Sequence, residues 1–427
     1  MADLGDILKF LVEWNTRNFG DAVTHSALRL SNYDLLSKSS LHLEELTQLK
    51  PFKLFGQSSV ALLHALGNLI VRDRRSREFP DLIAFAYWCS NASLSRMASA
   101  YESASYSVGR GIVFHIAPSN VPINFAYSLA SGILTGNINI VKVPSPRFEQ
   151  VTIFCDCLSS LLDKSEFEGW RNRIFLLRYG HDREITDALS LACDIRLIWG
   201  GNTAIDAIRQ SPLKPKAYDL VFSDRYSFCV INSSEYLFSK NQELIARDFY
   251  NDAYLFDQNA CTSPHLIIWV GELSKNLAAR ALFWEYLSQV TKAKYTVSSS
   301  QYFDKVTAAY STAANNPGAL IDFSSDGSSI RVLLEQFPSN IEELRGNSGF
   351  FLEYFSISID EIESFVTRNF QTMSYFGFQE EVLTRFFKMN SLLGIDRIVP
   401  IGKTLDFSLT WDGYNLASSL TRQFTIS

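Results

Sequence analysis

Cys261 is the residue in this chain that is best placed for covalent chemistry. It lies in the small and polar stretch Asp257–Pro264, directly before an apolar run, Leu266–Val270, that predicts a buried strand. The stretch itself predicts a loop, which would hold the sulfur at the end of an element and open to a cleft. A thiol there can attack a carbonyl and keep the product as a thioester. On position alone, a small buried cysteine is the commoner outcome.

Asn120 is the candidate for stabilising the oxyanion of such a reaction. It lies in Ala117–Pro122, which follows one apolar run and precedes another, so it falls between a strand and a helix. An amide NH₂ at that point can donate to the oxygen of a tetrahedral intermediate. Asparagine is equally a routine helix N-cap, and the sequence leaves both roles open.

Three further segments could bind a nucleotide. Lys142 and Ser145 end a predicted strand with a cation and a hydroxyl, and Gly200-Gly201 follow another strand and open a helix. Glycines at a helix N-terminus let the backbone approach a phosphate, although any tight turn uses the same residues. Glu353-Tyr354-Phe355 is nearly featureless when taken alone.

The elements that must position these residues alternate in the α/β manner. Short apolar strands separated by helices predict a parallel sheet covered on both faces, with nucleotides binding at the carboxyl ends of its strands. We expect strands at 112–117, 138–143, 173–178 and 194–199, with helices at 122–133, 148–162 and 204–209. The N-terminal part predicts helices at 4–14, 33–49, 60–73 and 80–101. After Cys261 we expect a second α/β region with a strand at 349–355, helices at 275–290 and 361–368, and a loop at 311–329.

Composition excludes several classes of protein. The chain has 427 residues, 47% of them hydrophobic, and a net charge of −6 without a basic block, so a nucleic-acid partner is not expected. No apolar stretch reaches the ~20 residues of a membrane span, and the six cysteines lack C-x-x-C spacing, so neither a disulfide framework nor a metal site is expected. Reduced thiols favour a cytoplasmic protein. The sequence also lacks G-x-G-x-x-G, Walker A, H-E-x-x-H and G-x-S-x-G motifs.

In their order and spacing, the segments resemble the aldehyde dehydrogenase superfamily over about residues 105–380. The resemblance implies that Cys261 is the nucleophile and that Asn120, in a P-x-N-like segment, is the oxyanion donor. It further implies that a cofactor contacts Lys142, although the proline that follows is shifted one place from the family pattern. Gly200-Gly201 would lie near the pyrophosphate. Glu353 and Phe355 match an E-x-F element that holds the nicotinamide ribose. The fold implied is a Rossmann-type cofactor domain plus an α/β catalytic domain.

Within the superfamily, the chain is similar to the long-chain acyl-CoA reductases typified by the fatty-acid reductase of bacterial luminescence. Five phrases carry this resemblance: 113–122, 259–264, 396–400, 405–407 and 411–414. Aldehyde-oxidising members carry a glutamate in an E-L-G-G-like element that activates water, and the corresponding place here reads Val221–Arg225 without one. Hydrolysis of an acyl-enzyme should then be slow, although Asp224 is an alternative base. This departure favours a reductase of acyl thioesters.

The sequence therefore predicts NADPH-dependent reduction of an acyl thioester, with long-chain acyl-CoA as the expected substrate. NADPH is favoured because Arg147, with Ser145 just before it, offers a cation to a 2′-phosphate and no carboxylate is expected nearby. Alternatives are a reductase of another acyl or sugar-linked substrate and an acyl-enzyme carrier with little turnover. The acyl donor would be acyl-CoA or an acyl-activating protein, and a homo-oligomer is expected. We expect a helical and cofactor-binding region at 1–222, a catalytic domain at 223–385, and a C-terminal tail at 386–427 with a role in oligomerisation.

Overall fold

Parallel strands alternating with helices form both parts of the chain, as the sequence predicts. The structure is a computed structural model that describes residues 33–36, 46–101, 107–118, 121–390 and 392–424. The chain divides into a first unit, Met1–Ser223 with Phe407–Ser427, and a second unit, Asp224–Asp406. The helix predicted at 4–14 lies outside the described residues.

The first unit is built on a sheet with the strand order β1-β5-β4-β3-β6-β7. Strands β3 to β7 run parallel, and β1 pairs antiparallel with β5 at the edge. The carboxyl ends of the parallel strands therefore share one edge of the sheet. The strands are β1 (Tyr33–Leu35), β3 (Ile112–Ile116), β4 (Ile138–Lys142), β5 (Ile174–Tyr179), β6 (Ile195–Trp199) and β7 (Tyr218–Phe222), and a short β2 (Val108–Gly109) lies outside this sheet.

Helices cover both faces of this sheet because its strands are apolar on both sides. Val113 and Leu197 pack into one buried cluster, and their neighbours Phe114 and Ile198 pack into another on the opposite face. In the described part of the first unit up to residue 223, the helices are α1 (Gln57–Arg72), α2 (Pro80–Trp88), α3 (Asn91–Ser99), α4 (Asn124–Leu134), α5 (Glu149–Leu162), α6 (Glu168–Arg171), α7 (Arg183–Ala192) and α8 (Asn202–Arg209), with 3₁₀ turns at Arg74–Glu78 and Ser165–Phe167.

Two predictions for this unit are wrong in detail. The helix predicted at 33–49 begins instead with strand β1, because Tyr33–Leu35 pairs with the edge of the sheet, and pairing overrides local propensity. The helix predicted at 80–101 is two helices, since the Ser90 side chain accepts from the Ser93 N–H and caps a new start for α3.

The second unit contains a sheet with the order β10-β11-β12-β9-β8-β13-β14. Its strands run parallel except β10, which pairs antiparallel with β11. The strands are β8 (Tyr226–Asn232), β9 (Pro264–Val270), β10 (Leu320–Phe323), β11 (Ile330–Leu334), β12 (Phe350–Ser356), β13 (Phe370–Phe376) and β14 (Arg397–Pro400). The helices are α9 (Ser233–Phe238), α10 (Gln242–Tyr254), α11 (Leu273–Lys294), α12 (Ser299–Asn315) and α13 (Glu380–Asn390), with 3₁₀ turns at Ile341–Glu343 and Ile359–Phe365.

The predicted loop at 311–329 is also wrong. Helix α12 continues to Asn315, because Lys305, Ala309 and Thr312 recur at helical spacing and are all buried. Edge strand β10 follows within the same stretch. The helix predicted at 361–368 is the 3₁₀ turn Ile359–Phe365.

The segment predicted as a tail, 386–427, is divided between the two units. Its last part supplies Leu409, Trp411, Leu416 and Leu420 to the core of the first unit. It forms β15 (Thr410–Trp411), β16 (Tyr414–Asn415), α14 (Leu416–Ser419) and β17 (Thr421–Arg422), and β17 pairs with β2. Among the residues that the structure describes, no helix has the length and apolar character needed to cross a bilayer.

Candidate functional site

Cys261 differs from the other cysteines in its exposure. All six cysteines lie in the described part of the chain; five are buried, and Cys261 is half-buried in the turn before β9. Burial raises the pKa of each buried thiol, to about 11 for Cys157 and about 12 for Cys155 and Cys193. Those five sulfurs therefore stay protonated near neutral pH, and Cys261 is the candidate thiolate.

Gln258 anchors the loop that carries Cys261. Its side chain is 1% exposed. Its Nε2 donates to the carbonyls of Pro264 (3.1 Å) and Phe350 (3.0 Å), and its Oε1 accepts from the N–H groups of Gly349 (2.7 Å) and Phe350 (3.0 Å). Asp257 and Gln258 have φ of 50° and 58°, a conformation that costs on the order of 1–3 kcal/mol per residue and persists only where contacts enforce it. The amide of Gln258 supplies those contacts.

Hydrogen bonds also fix the residues on either side of the Cys261 sulfur. The Ser227 hydroxyl donates to the Cys261 carbonyl (2.7 Å) and accepts from the Thr372 N–H (3.2 Å). The Ser263 hydroxyl donates to the carbonyl of Asp252 on α10 (2.8 Å). The cysteine thus lies on a turn tied to β8, β13 and α10, which presents its thiol at the amino edge of the parallel strands.

The alternative base, Asp224, is engaged by a cation at this edge. Its carboxylate forms an ion pair with Arg345, whose Nη1 donates to the Arg225 carbonyl (3.0 Å). His265, four residues after the cysteine, donates from Nδ1 to the Gly346 carbonyl (2.9 Å), and burial lowers its pKa to about 4. His265 is therefore neutral at physiological pH, and no pattern in the sequence predicts its placement.

The placement of Glu353 conflicts with the predicted role in holding a ribose. This carboxylate lies in the middle of β12 and is fully buried. Its Oε1 accepts from the indole N–H groups of Trp269 (2.9 Å) and Trp284 (2.8 Å), and its Oε2 accepts from Arg280 (2.7 and 2.9 Å). These contacts occupy both oxygens with internal partners. Phe355 is half-buried against the apolar cluster on one face of the sheet.

The E-x-F pattern recurs at Glu363-Ser364-Phe365. This segment ends the 3₁₀ turn before β13, and Glu363 is exposed. With Tyr354, Asp360 and Glu361 it lines a cavity of about 590 Å³. The recurrence of the E-x-F pattern is the signal that could have identified this position.

Lys142 and Ser145 lie at the carboxyl edge of the first sheet, as predicted, and both contact the end of β5. The Lys142 ammonium donates to the Gly180 carbonyl (3.1 Å) and lies 4.5 Å from the centre of the Tyr179 ring, and burial lowers its pKa. The Ser145 hydroxyl donates to the Tyr179 carbonyl (3.2 Å). The cation is therefore held at the strand ends.

Gly200 and Gly201 lie where β6 passes into α8, at the same edge. Neither has a positive φ, so the backbone does not require glycine. A Cβ at Gly201 would meet nothing within 4 Å, and one at Gly200 would meet only Ala204 at 3.7 Å. Protein packing therefore does not explain the glycines, and the open space at a helix N-terminus fits a phosphate group.

The surroundings of Arg147 differ from the prediction. The expectation that no carboxylate lies nearby is wrong, because Arg147 Nη2 is 3.3 Å from the Asp34 carboxylate of β1. Both side chains are largely exposed, at 82% and 52%, so this ion pair is weak.

Asn120 lies outside the described residues. The elements around it are β3, which ends at Ile116, and α4, which begins at Asn124. The N-cap of α4 is Ile123 and has no side-chain cap. Among the described residues, no three His, Cys, Asp or Glu side chains group as a metal site requires.

Comparison with known proteins identifies a family of similar sequences. A family model described as "Acyl-CoA reductase (LuxC)" matches residues 34–317. A Vibrio harveyi protein named "Long-chain acyl-protein thioester reductase" is 29% identical over 166 residues, which are 38% of this chain and 33% of that protein. The matched part is thus about a third of the relative's length.

Solved structures of aldehyde dehydrogenases share the fold. A lactaldehyde dehydrogenase superposes with a TM-score of 0.64 at 11% identity, covering 99% of this chain and 91% of its own. Aldehyde dehydrogenase 21 from Physcomitrella patens gives a TM-score of 0.62 at 11% identity, covering 89% and 88%. The predicted aldehyde dehydrogenase-like α/β fold is confirmed. Because the family model spans more than half of the chain, the protein belongs to the LuxC acyl-CoA reductase family.

Proposed function

We propose that this protein reduces an acyl thioester to an aldehyde through an S-acyl intermediate on Cys261. The observation that carries the proposal is the half-buried thiol on a turn that Gln258 and Ser227 fix by hydrogen bonds, whereas the other cysteines are buried. Membership of the acyl-CoA reductase family supports the reaction class.

The first step transfers the acyl group to the protein. The Cys261 thiolate attacks the thioester carbonyl, the C–S bond to the donor breaks, and the donor leaves as a thiolate that takes a proton from water. Asn120 is proposed as the oxyanion donor, and one such donor contributes about 3–4 kcal/mol to the transition state. The anchored turn keeps the sulfur in one position and so lowers the entropic cost of attack.

The second step releases the aldehyde. A nicotinamide cofactor, when bound, supplies the hydride that adds to the acyl carbon. The carbon–sulfur bond of the thioester then breaks, and Cys261 leaves as the thiolate that began the cycle. One acyl thioester, one reduced cofactor and one proton thus give an aldehyde, a free donor thiol and the oxidised cofactor.

The groups around Cys261 favour reduction over hydrolysis. A hydrolytic route needs a base to activate water, and such a base contributes typically 10²–10⁴-fold. Asp224 is paired with Arg345, and burial lowers the pKa of His265 to about 4, which makes its imidazole a weak base. We infer that the acyl-enzyme persists in water and reacts with thiols or with the reduced cofactor.

The cofactor is proposed to bind to the first unit. Gly200 and Gly201 would receive the pyrophosphate at the N-terminus of α8, and Lys142 would contact the ribose. NADPH is proposed, since Arg147 can exchange its weak ion pair with Asp34 for a 2′-phosphate, which accepts two parallel hydrogen bonds. Glu353 is buried among internal donors and is not proposed as the partner of the nicotinamide ribose.

The acyl donor is proposed to be long-chain acyl-CoA or an acyl group carried on a protein, as the name of the Vibrio harveyi relative describes for that protein. We further propose a cytoplasmic homo-oligomer. Two alternatives remain distinguishable: a reductase of another acyl or sugar-linked substrate, and an acyl-enzyme carrier with little turnover.

Acylation followed by reduction tests the proposal. Purified protein is mixed with radioactive palmitoyl-CoA, the label on Cys261 is counted, and NADPH is then added. We expect stoichiometric label, its conversion to aldehyde on addition of NADPH, and no label in Cys261→Ser. Full labelling of Cys261→Ser would refute the nucleophile, and a label that NADPH leaves in place would indicate a carrier. Prompt release of free fatty acid without NADPH would refute the persistent acyl-enzyme.

A further inference from the structure

The end of helix α10 has an aspartate at a place that usually holds glycine. The Gln258 N–H donates to the Ala253 carbonyl (2.8 Å), and the Asp257 N–H donates to the Tyr254 carbonyl (3.2 Å). Together these bonds form the Schellman motif, in which the residue of positive φ is most often glycine. Asp257 has that conformation, with φ of 50°. Because glycine adopts it at no steric cost, the aspartate side chain needs a reason.

Tyr295 supplies that reason. Its phenol donates a hydrogen bond to the Asp257 carboxylate, and burial raises the pKa of Tyr295, so the hydroxyl keeps its proton. Tyr295 directly follows α11, and its N–H donates to the Thr291 carbonyl (2.8 Å). Its ring packs edge-on against the buried Tyr254, with ring centres 4.9 Å apart. The hydroxyl that reaches Asp257 is therefore carried by a ring that other contacts hold in place.

A second pair of residues with positive φ lies against this turn. Ser348 and Gly349, just before β12, have φ of 59° and 92°. The Ser348 N–H donates to the Asp257 carbonyl (3.0 Å), and the Gly349 N–H donates to the Gln258 side chain (2.7 Å). The two strained segments thus hold each other, and Asp257 is bound through both its carbonyl and its carboxylate.

Only a short connection separates Asp257 from the sulfur. Cys261 follows it by four residues. The N–H groups of Asn259 and Ser263 each donate to the carbonyl three residues earlier (2.8 and 2.9 Å), which folds the connection into consecutive turns. Because the connection is short and hydrogen-bonded, a shift of Asp257 also shifts the Cys261 thiol.

We propose that Tyr295 is a positioning residue for the nucleophile. Its hydrogen bond to the Asp257 carboxylate keeps the turn in the conformation that presents the Cys261 thiol to a thioester. Gln258 holds the same turn through the backbone of β12, and Tyr295 holds it from the end of α11. The inference rests on the proposed function, because it assumes that Cys261 is acylated.

Two substitutions remove this hydrogen bond from opposite sides. Tyr295→Phe removes the donor and keeps the ring, whereas Asp257→Gly removes the acceptor and relieves the strained backbone. Tyr250→Phe is the matched control, because its hydroxyl donates to the Lys294 carbonyl (3.2 Å) while its ring also packs on Tyr254. Urea unfolding gives the folded fraction of each variant. Single-turnover labelling with radioactive palmitoyl-CoA gives the rate constant and the half-saturating concentration of acylation.

The acylation rate constant per folded molecule should fall about tenfold in Tyr295→Phe and in Asp257→Gly, because a displaced sulfur loses its orientation for attack. The half-saturating concentration of palmitoyl-CoA should stay unchanged. Asp257→Gly should unfold at nearly the same urea concentration as the unaltered protein, so its slower acylation is not a loss of stability. The double variant should be no slower than either single variant, since both remove the same bond, and Tyr250→Phe should keep the unaltered rate.

Unaltered acylation by folded Tyr295→Phe or Asp257→Gly would overturn the inference. Hydrogen exchange separates this outcome from a failure of the proposed function, because it needs no substrate. Tyr295→Phe should speed exchange of the amides at 257–263 and 348–350 and leave those of β9 unchanged. If the unaltered protein takes up no acyl group, the proposed function fails. Exchange at 257–263 that Tyr295→Phe leaves unchanged would overturn the role of Tyr295 in either case.

Discussion

Gln258→Ala should release the turn that carries Cys261. The substitution removes four hydrogen bonds at once and leaves the N–H groups of Gly349 and Phe350 and two carbonyls buried without this partner. Each intact bond contributes about 1 kcal/mol, and a stranded buried group costs about 1–3 kcal/mol. Relaxation of the positive φ at Asp257 and at position 258 returns part of that cost. We expect a net loss of about 3–5 kcal/mol in the free energy of unfolding, near the upper end for one substitution.

Urea unfolding and acylation of the same protein measure the two effects of this change. The acylation rate per folded molecule should fall at least tenfold, because the sulfur no longer has one position. Gln289→Ala is the matched control, since Gln289 is exposed on α11 of the same unit and should change stability by less than about 0.5 kcal/mol. Gln258→Glu separates the two accepted bonds from the two donated ones. A carboxylate still accepts from the two N–H groups, but it cannot donate to the two carbonyls. Normal acylation by folded Gln258→Ala would refute the anchoring role.

Three further predictions concern cofactor choice, stability and pH. Asp34→Asn removes the carboxylate that pairs with Arg147. In a fluorescence titration it should tighten NADPH binding by about two- to fivefold, as for an exposed ion pair, and leave NADH binding unchanged. Equal effects on both cofactors would exclude a role of Arg147 at the 2′-phosphate. Glu353→Gln should lower the free energy of unfolding in urea by about 3 kcal/mol, since it leaves Arg280 buried without its main partner. Cofactor affinity should stay unchanged. Weaker cofactor binding by a variant that remains stable would support a role of Glu353 at the ribose. His115 and His265 have pKa values lowered by burial from 6.5 to about 4, so the unfolded chain binds protons first as the pH falls. The free energy of unfolding should be at its maximum above about pH 6.5 and fall by about 3 kcal/mol per histidine toward pH 4. Unfolding midpoints that do not change over that range would contradict the burial of both rings.

The strands around the site were predictable because they are apolar on both faces. Ile112–Ile116 and Ile138–Lys142 read as mostly apolar runs, and the structure places strands there with ends differing by a single residue from those expected. The turn before Leu266 was predictable in the same way, because small polar residues preceded a buried run. These features are local, so the sequence contains the whole signal.

Features that depend on distant partners could not be predicted. Glu353 and Glu363 both stand two residues before a phenylalanine, and only the donors from Trp269, Trp284 and Arg280 show that the first is internal. Asp34 approaches Arg147 across 113 positions of the chain. Strand β1 has three residues, too few for a periodic pattern, and it exists because the edge of β5 offers hydrogen bonds.

The chain order of the two units has a consequence for how the protein folds during synthesis. The second unit is one continuous stretch, Asp224–Asp406, inserted between two pieces of the first. Trp411, Leu416 and Leu420 from the later piece fill the core of the first unit, and β17 pairs with β2 from the earlier piece. Since domains form as their residues emerge from the ribosome, the second unit can complete its sheet while the first still exposes an unfilled apolar surface. We therefore expect the unit proposed to bind the cofactor to close last, once residues 407–424 have been made.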